Sequence, residues 1–346
     1  MKNKEKQNAY KTFIGMTREL FAQTKIVGLI YTALAVIISI SIAMEMLIDH
    51  SGLTMDYPLN AMIPLAPTMY LSFACSMLVT ISAFKYLHSK KSTDFFMSLP
   101  ISRTNLYFST CSASMLWVMV ANISSAIVGY SMLAPIYAKH GVNMPGRWFE
   151  MIIVILIMIA SGIAIGAFAS SFTGTGGTSL LAAVSVTVLP LIFCTRVENI
   201  LKYDFYYRKE NVFSWLRKNT VYSYVFTNEW GALAYLYTAF LASGLLLLGL
   251  WMFNRRKSEI SQNGIPNTLV HVILRSCVPL FIFWGVGSIE LFEFGAYMIA
   301  FLFYISYDLV QTKKATALLT ASLWFLLTIA IGYLPRYVAY IVHLIG

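Results

Sequence analysis

Residues 151–172 read MIIVILIMIASGIAIGAFASSF, a run without a single charged side chain. A helix crossing hydrocarbon has to satisfy its backbone polar groups internally, and needs ~20 mostly apolar residues to do so. Met151–Phe172 fits that requirement and is read as a membrane span. Working outward, comparable runs lie at Ile26–Leu47, Ala61–Tyr86, Leu106–Leu133, Ser179–Cys194 and Ala232–Phe253, then at Leu269–Val286, Phe294–Tyr307 and Ala315–Tyr333. The expectation is an all-α polytopic membrane protein with nine spans, eight and ten being the alternatives. The first run begins near Ile26 and is too long for a signal-peptide core, so it reads as a retained first span.

Composition agrees. Of the 346 residues 58% are hydrophobic and only 12% charged, with a mean hydropathy of +0.69. Soluble chains carry roughly 25% charged residues, and half that cannot cover a protein of this size in water. This excludes a soluble enzyme, a disordered chain and a nucleic-acid binder. The net charge of +10 acquires meaning from position, because loops on the cytoplasmic side retain Lys and Arg. With the N-terminus inside, the inner side holds sixteen Lys and Arg against five acids, and the outer side nine against ten. The sequence therefore predicts a multi-pass protein of the cell (inner, cytoplasmic) membrane with its N-terminus in the cytoplasm. Arg196–Trp230 falls outside in this arrangement and mixes six cations with four acids and many aromatic residues. Such a mixture suits short helices at or dipping into the interface, and the segment is read as interfacial or re-entrant.

Two inner segments are not spans. In Gln7–Lys25 the residues Tyr10, Phe13, Ile14, Thr17, Leu20 and Phe21 recur at helical spacing, while Lys11, Arg18, Glu19 and Lys25 face elsewhere. The pattern predicts an amphipathic helix lying at the interface ahead of the first span, with a plain basic leader as the alternative. The second segment is KKSTDFFMSLPISR, Lys90–Arg103. Ser92 or Thr93 is the expected N-cap, Asp94 suits the positive end of a helix, and Pro100 stops it. Ser102 then caps the next span. The helix between would present Phe95, Phe96 and Leu99, either to a partner protein or to the lipid headgroups.

This loop resembles the first cytoplasmic loop of ABC-2-type ABC transporter permeases from Gram-positive bacteria. The residues that carry the likeness are Tyr86–Ser92, Asp94, Phe95, Ser98–Ile101 and Arg103, and the basic Arg255–Glu259 stretch after the sixth span is a second match. The likeness covers roughly residues 10–260. It implies an interfacial helix (1–25), a six-span exporter core (26–254) and about three additional C-terminal spans (255–346). It also implies that the short loop helix is a coupling helix docking on an ABC ATPase subunit through Asp94, Phe95, Phe96, Met97, Leu99 and Pro100. That helix would pass the motion of ATP-driven closure to spans one, two and five. The external segment would be the family's re-entrant cap, with Tyr206, Tyr207, Trp215 and Tyr222 in it. The function implied is the transmembrane subunit of an ATP-driven exporter, paired with an identical or homologous second permease. Its substrate would be amphipathic: a peptide, toxin, antibiotic or lipid-like molecule.

Motifs absent from the sequence sharpen this. No G-x-x-x-x-G-K-[ST] occurs, so ATP and Mg are expected on the partner ATPase, with no cofactor on this chain. Thr173–Thr178 is glycine-rich without the lysine and reads as a tight turn. Neither H-E-x-x-H nor G-x-S-x-G occurs, and no His pair has ligand spacing, so neither a catalytic residue nor a metal site is expected. Cys75, Cys111, Cys194 and Cys277 lie in apolar runs and read as small hydrophobes. Arg275, two turns into the seventh span, is expected to snorkel back to the cytoplasmic face. Gly162-x-x-x-Gly166 permits close helix approach, inside the chain or against the second permease. An antibiotic-sensing or resistance permease, and a membrane scaffold or enzyme without ATP coupling, are the competing functions.

Overall fold

A computed structural model describes residues 2–49, 66–139, 144–187 and 232–256, together with 302 and 322–327. These residues are helical almost throughout, with no strand among them. In chain order the helices are α1 (Lys2–Gln23), α2 (Lys25–Asp49), α3 (Ala66–Ala83), α4 (Lys90–Ser98), α5 (Arg103–Lys139), α6 (Met144–Phe172), α7 (Gly176–Thr187) and α8 (Ala232–Arg255). A 3-10 turn at Phe84–His88 joins α3 to α4.

Four stretches are long and apolar enough to cross a membrane: Leu71–His88, Arg103–Gly129, Ile152–Phe172 and Leu236–Arg255. They correspond to the second, third, fourth and sixth runs read from the sequence. The first run is α2, which forms with α1 an apolar pair bent by 66°, a fifth candidate span if the pair is taken as one. The fifth run begins in α7, a shorter apolar helix. The seventh run, with Arg275, lies outside the described residues, and the eighth and ninth are described only at 302 and 322–327.

The chain divides into two compact units, residues 1–172 with 235–258 and residues 173–234 with 259–346. In the second unit the glycine-rich turn is shorter than expected, since α7 already starts at Gly176. Thr175 closes the turn by accepting from the Thr178 amide through Oγ1 at 3.3 Å, which occupies one donor that a helix start leaves unmet.

In the first unit α2 packs along α5 and α3 along α6, while α1 lies against α5. The side of α2 turned away from α5 carries Ile26, Leu29, Ile30, Leu34 and Ile37, all exposed at i, i+3, i+4 spacing. Exposed Met115, Leu116, Val120, Ile123 and Ile127 continue this apolar surface on α5. Such a belt is what a helix pair facing lipid or another apolar surface presents.

Inside, small residues set the helix spacing. Ser72, Ser76 and Thr80 recur every fourth residue on α3 and are buried. The Ser76 hydroxyl donates to the Phe73 carbonyl at 2.7 Å and Thr80 to the Ser76 carbonyl at 2.7 Å. The Ser76 and Thr80 hydroxyls are thus satisfied within their own helix and can be buried among apolar groups. Gly162 and Gly166 of α6 meet this stripe: a Cβ on Gly162 would overlap Ser76 Oγ, and one on Gly166 would stand 2.8 Å from the Met77 carbonyl oxygen. The small-residue motif therefore serves packing within the chain, the first of the two uses the sequence left open. A single polar knot joins three helices nearby. Asn122 Nδ2 donates to the Tyr31 hydroxyl at 3.1 Å, and Ser72 donates to Asn122 Oδ1 at 2.6 Å.

The α1–α2 bend is held by Trp117 of α5. Its indole stacks on Phe21 with centroids 4.2 Å apart and planes 7° apart, and its Nε1–H donates to the Phe21 carbonyl at 2.9 Å. The Thr24 hydroxyl donates to the Leu20 carbonyl at 2.9 Å. The Leu20 carbonyl also keeps the Thr24 amide at 3.1 Å, so the carbonyl that the indole serves at the break is that of Phe21. Gly28 lies under the indole, where any Cβ would overlap the ring. The buried side of α1 is Met16, Thr17 and Leu20, with Phe21 packed against the core, while Ile14 points outward. The amphipathic helix is present, rotated slightly from the face assigned by sequence.

Gly162→Ala is expected to cost about 1–3 kcal/mol by overpacking the α3–α6 contact. Gly244→Ala, with open space around it, should be neutral or slightly stabilising through helix propensity. Thermal unfolding of the two variants in detergent measures the contrast, and equal melting temperatures would contradict the close α3–α6 packing.

Candidate functional site

The segment from Phe84 to Arg103 makes a short helix stand between two long ones. The chain leaves α3 through the 3-10 turn, and Ser89 (φ −120°, ψ 126°) redirects it into α4. The N-cap is therefore Ser89, one turn ahead of the Ser92 or Thr93 expected from sequence. The physical reason is that Thr93 has another task. It is buried, and its hydroxyl is shared between the carbonyls of Tyr86 and Ser89, each at 2.9 Å. A residue that anchors the middle of a helix cannot also begin it. At the other end the residue before a proline is driven to extended geometry. Leu99 adopts φ −63°, ψ 143° before Pro100, which ends α4 as expected. Ser102 caps α5, its Oγ accepting from the Asn105 amide at 3.2 Å.

The two phenylalanines divide the helix into two faces. Phe96 is 9% exposed, and its ring centroid lies 4.6 Å from that of Tyr86. Phe95 is 60% exposed and meets Phe96 only edge-on, at 5.5 Å and 86°. Met97 and Leu99 are half-buried and pack against the core. Of the six candidate contact residues, Asp94, Phe95 and Pro100 thus form an outer face, and Phe96, Met97 and Leu99 an inner one. The expectation that both rings and Leu99 point outward is corrected to Phe95 alone. Lys90 and Lys91 are exposed and border it. The candidates Tyr206, Tyr207, Trp215 and Tyr222 lie outside the described residues.

Tyr86 is the point to which the inner face is fastened. Its carbonyl accepts from Thr93, its ring packs on Phe96, and its hydroxyl lies 3.2 Å from Thr110 Oγ1 of α5. Thr110 donates its own proton to the Leu106 carbonyl at 2.8 Å, so Tyr86 is the donor in that pair. Phe84, Tyr107 and Phe253 form an aromatic cluster beneath, with centroids 5.5–6.1 Å apart. The Tyr107 hydroxyl donates to the Leu246 carbonyl of α8 at 3.1 Å.

Two arginines close this end of the bundle. Arg256, just past α8, is 2% exposed. Its guanidinium donates to the carbonyls of Ser170 (2.8 Å) and Ser171 (3.1 Å) at the end of α6, and to that of Leu87 (2.8 Å) at the entry to α4. Arg103, the first residue of α5, donates to the carbonyls of Asn254 (2.7 Å) and Arg256 (2.9 Å) at the end of α8. The last carbonyls of a helix have no partner within it and carry its negative dipole end, so a forked cation is well matched to several converging ends. Burial pushes the Arg256 guanidinium down to about 10, which leaves it charged at neutral pH.

Sequence reading misses Arg256 as a clasp: it enters there only among the basic residues of the inner side and as part of the Arg255–Glu259 likeness. Its spacing of three from Phe253, which is buried, was the available signal. No protein-family profile, curated protein or solved structure matches the chain.

The division of α4 has a direct consequence for stability. Phe96→Ala should cost about 3–5 kcal/mol, the range for emptying a buried phenylalanine site, whereas Phe95→Ala should change stability by less than about 0.5 kcal/mol. Melting of the purified variants measures both, and a Phe95 variant as unstable as the Phe96 variant would contradict the two faces.

Proposed function

We propose that the chain is the transmembrane subunit of an ATP-driven exporter of the ABC-2 type, with α4 as its coupling helix. In this reading the N-terminus and α4 face the cytoplasm of the cell membrane, and ATP and Mg belong to a separate ATPase subunit. A second permease, identical or homologous, completes the pathway for an amphipathic substrate. The observation that carries the reading is the arrangement of Phe95: a large apolar side chain kept in the open on a helix whose other face is firmly anchored. An exposed phenylalanine rimmed by Lys90 and Lys91 suits a partner's apolar groove or the lipid headgroups. The Lys-Lys-Ser-x-Asp-Phe and Ser-Leu-Pro-Ile-Ser-Arg residues around it favour the groove of an ATPase.

The mechanism follows from mechanics. Closure of two ATPase subunits on ATP displaces α4, and α4 continues through a one-proline turn into α5. Because α1 and α2 are joined to α5 through Trp117, a displacement of α5 carries them along. The opening then passes from the inner to the outer side.

Replacing both phenylalanines together would confuse docking with stability, so Phe95→Ala alone is the cleaner variant. Purified in mild detergent from its native cells, the tagged wild-type chain is expected to bring a Walker-motif ATPase in a fixed ratio. Phe95→Ala is expected to lose it at unchanged melting temperature. Absence of any such ATPase from the wild-type preparation, or equal recovery with Phe95→Ala, overturns the proposal.

A further inference from the structure

We propose that Arg256 is a positioning residue that fixes α4 to the ends of α6 and α8, so that a load on α4 reaches those helices through a guanidinium as well as through the chain.

The α4 segment is gripped on both sides of its length. On the entry side the Leu87 carbonyl accepts from Arg256 Nη2. On the exit side Arg103, three residues beyond Pro100, grips the carbonyls of Asn254 and Arg256. Both grips lead to the same place, the last turn of α8. From there Arg256 Nη1 continues to Ser170 and Ser171 of α6. The path closes on itself: α4 entry, Arg256, α8 end, Arg103, α4 exit, with α6 attached at Arg256.

The side chain chosen for this junction matters. Guanidinium is planar and presents donors in a fixed fork, which lets one residue hold Leu87 and the α6 end in a set direction. Lysine would keep the charge but lacks the fork, and its flexible stem allows it to follow one helix end while the other moves away. Bonds to a charged donor are roughly twice as strong as neutral ones and persist in the poorly hydrated surroundings seen here. The α4 segment thus has a stiff connection to α6 and α8, two helices that it does not adjoin in the chain.

The test uses the full-length chain in lipid nanodiscs, with native cysteines replaced and pairs of spin labels introduced. One pair, at Asp94 and Phe240, reports α4 against α8, both positions being exposed. A control pair at Ile26 and Ile127, also exposed, reports α2 against α5. Distances are compared in the wild type, Arg256→Lys and Arg256→Gln. The expected result is an Asp94–Phe240 distribution that shifts or broadens by more than the ~1–2 Å of ordinary helix adjustments in both variants, with the control pair unchanged. Unchanged distributions in both variants overturn the proposal. Broadening of both pairs also overturns it, since Arg256 would then hold the fold as a whole and not this junction.

Discussion

Helix ends are the weak points of a bundle in an apolar medium, because their last carbonyls have neither an intrahelical partner nor water. In this chain one guanidinium meets that need for three of them. Arg256 gathers the carbonyls of Leu87, Ser170 and Ser171, and Arg103 covers those of Asn254 and Arg256. Around this junction lie the aromatic cluster of Phe84, Tyr107 and Phe253 and, through Tyr86, the inner face of α4. Each neighbouring feature presupposes that these ends converge. Desolvating a cation is costly, and the carbonyl dipoles that converge on Arg256 are what offsets that cost.

The rest of the first unit divides its polar and apolar groups by the same logic. The Ser76 and Thr80 hydroxyls of α3 bond within their own helix, which lets α6 approach through Gly162 and Gly166. The α1–α2 bend is tolerated because Trp117 serves the Phe21 carbonyl at the break. Outward, the helices carry apolar side chains. Rigidity at the α4 end and apolar packing along the helices favour transmission over local yielding, and the proposed exporter function needs that property. Phe95 is a large ring left outside the packed core on a helix that is otherwise anchored to it.

The parts legible in the sequence were those where one physical term dominates. Long apolar runs marked α3, α5, α6 and α8, since uninterrupted apolar stretches of this length favour a helix long enough to cross a membrane. Pro100 and Ser102 gave the end of α4 and the start of α5, because ring geometry and capping act locally. What sequence could not give were choices made by tertiary contacts. Phe95 and Phe96 are adjacent and chemically equal, and only the position of Tyr86 decides which turns inward. The N-cap moved to Ser89 because Thr93 is drawn to the Tyr86 carbonyl. Met16 replaced Ile14 on the buried side of α1 through a small rotation set by α5. The clasp role of Arg256 is not visible in the sequence because its three carbonyl partners come from residues 85 and more positions away.

In the proposed function the outer face of α4 docks on an ATPase and does not rest in lipid headgroups. Photo-crosslinking from position 95 in native membranes tests it most directly, with benzoylphenylalanine replacing Phe95 and, as a comparison, the exposed Phe240 of α8. The account predicts a protein adduct from position 95, whose partner carries Walker motifs, and lipid adducts from position 240. Lipid adducts alone from position 95 would contradict it.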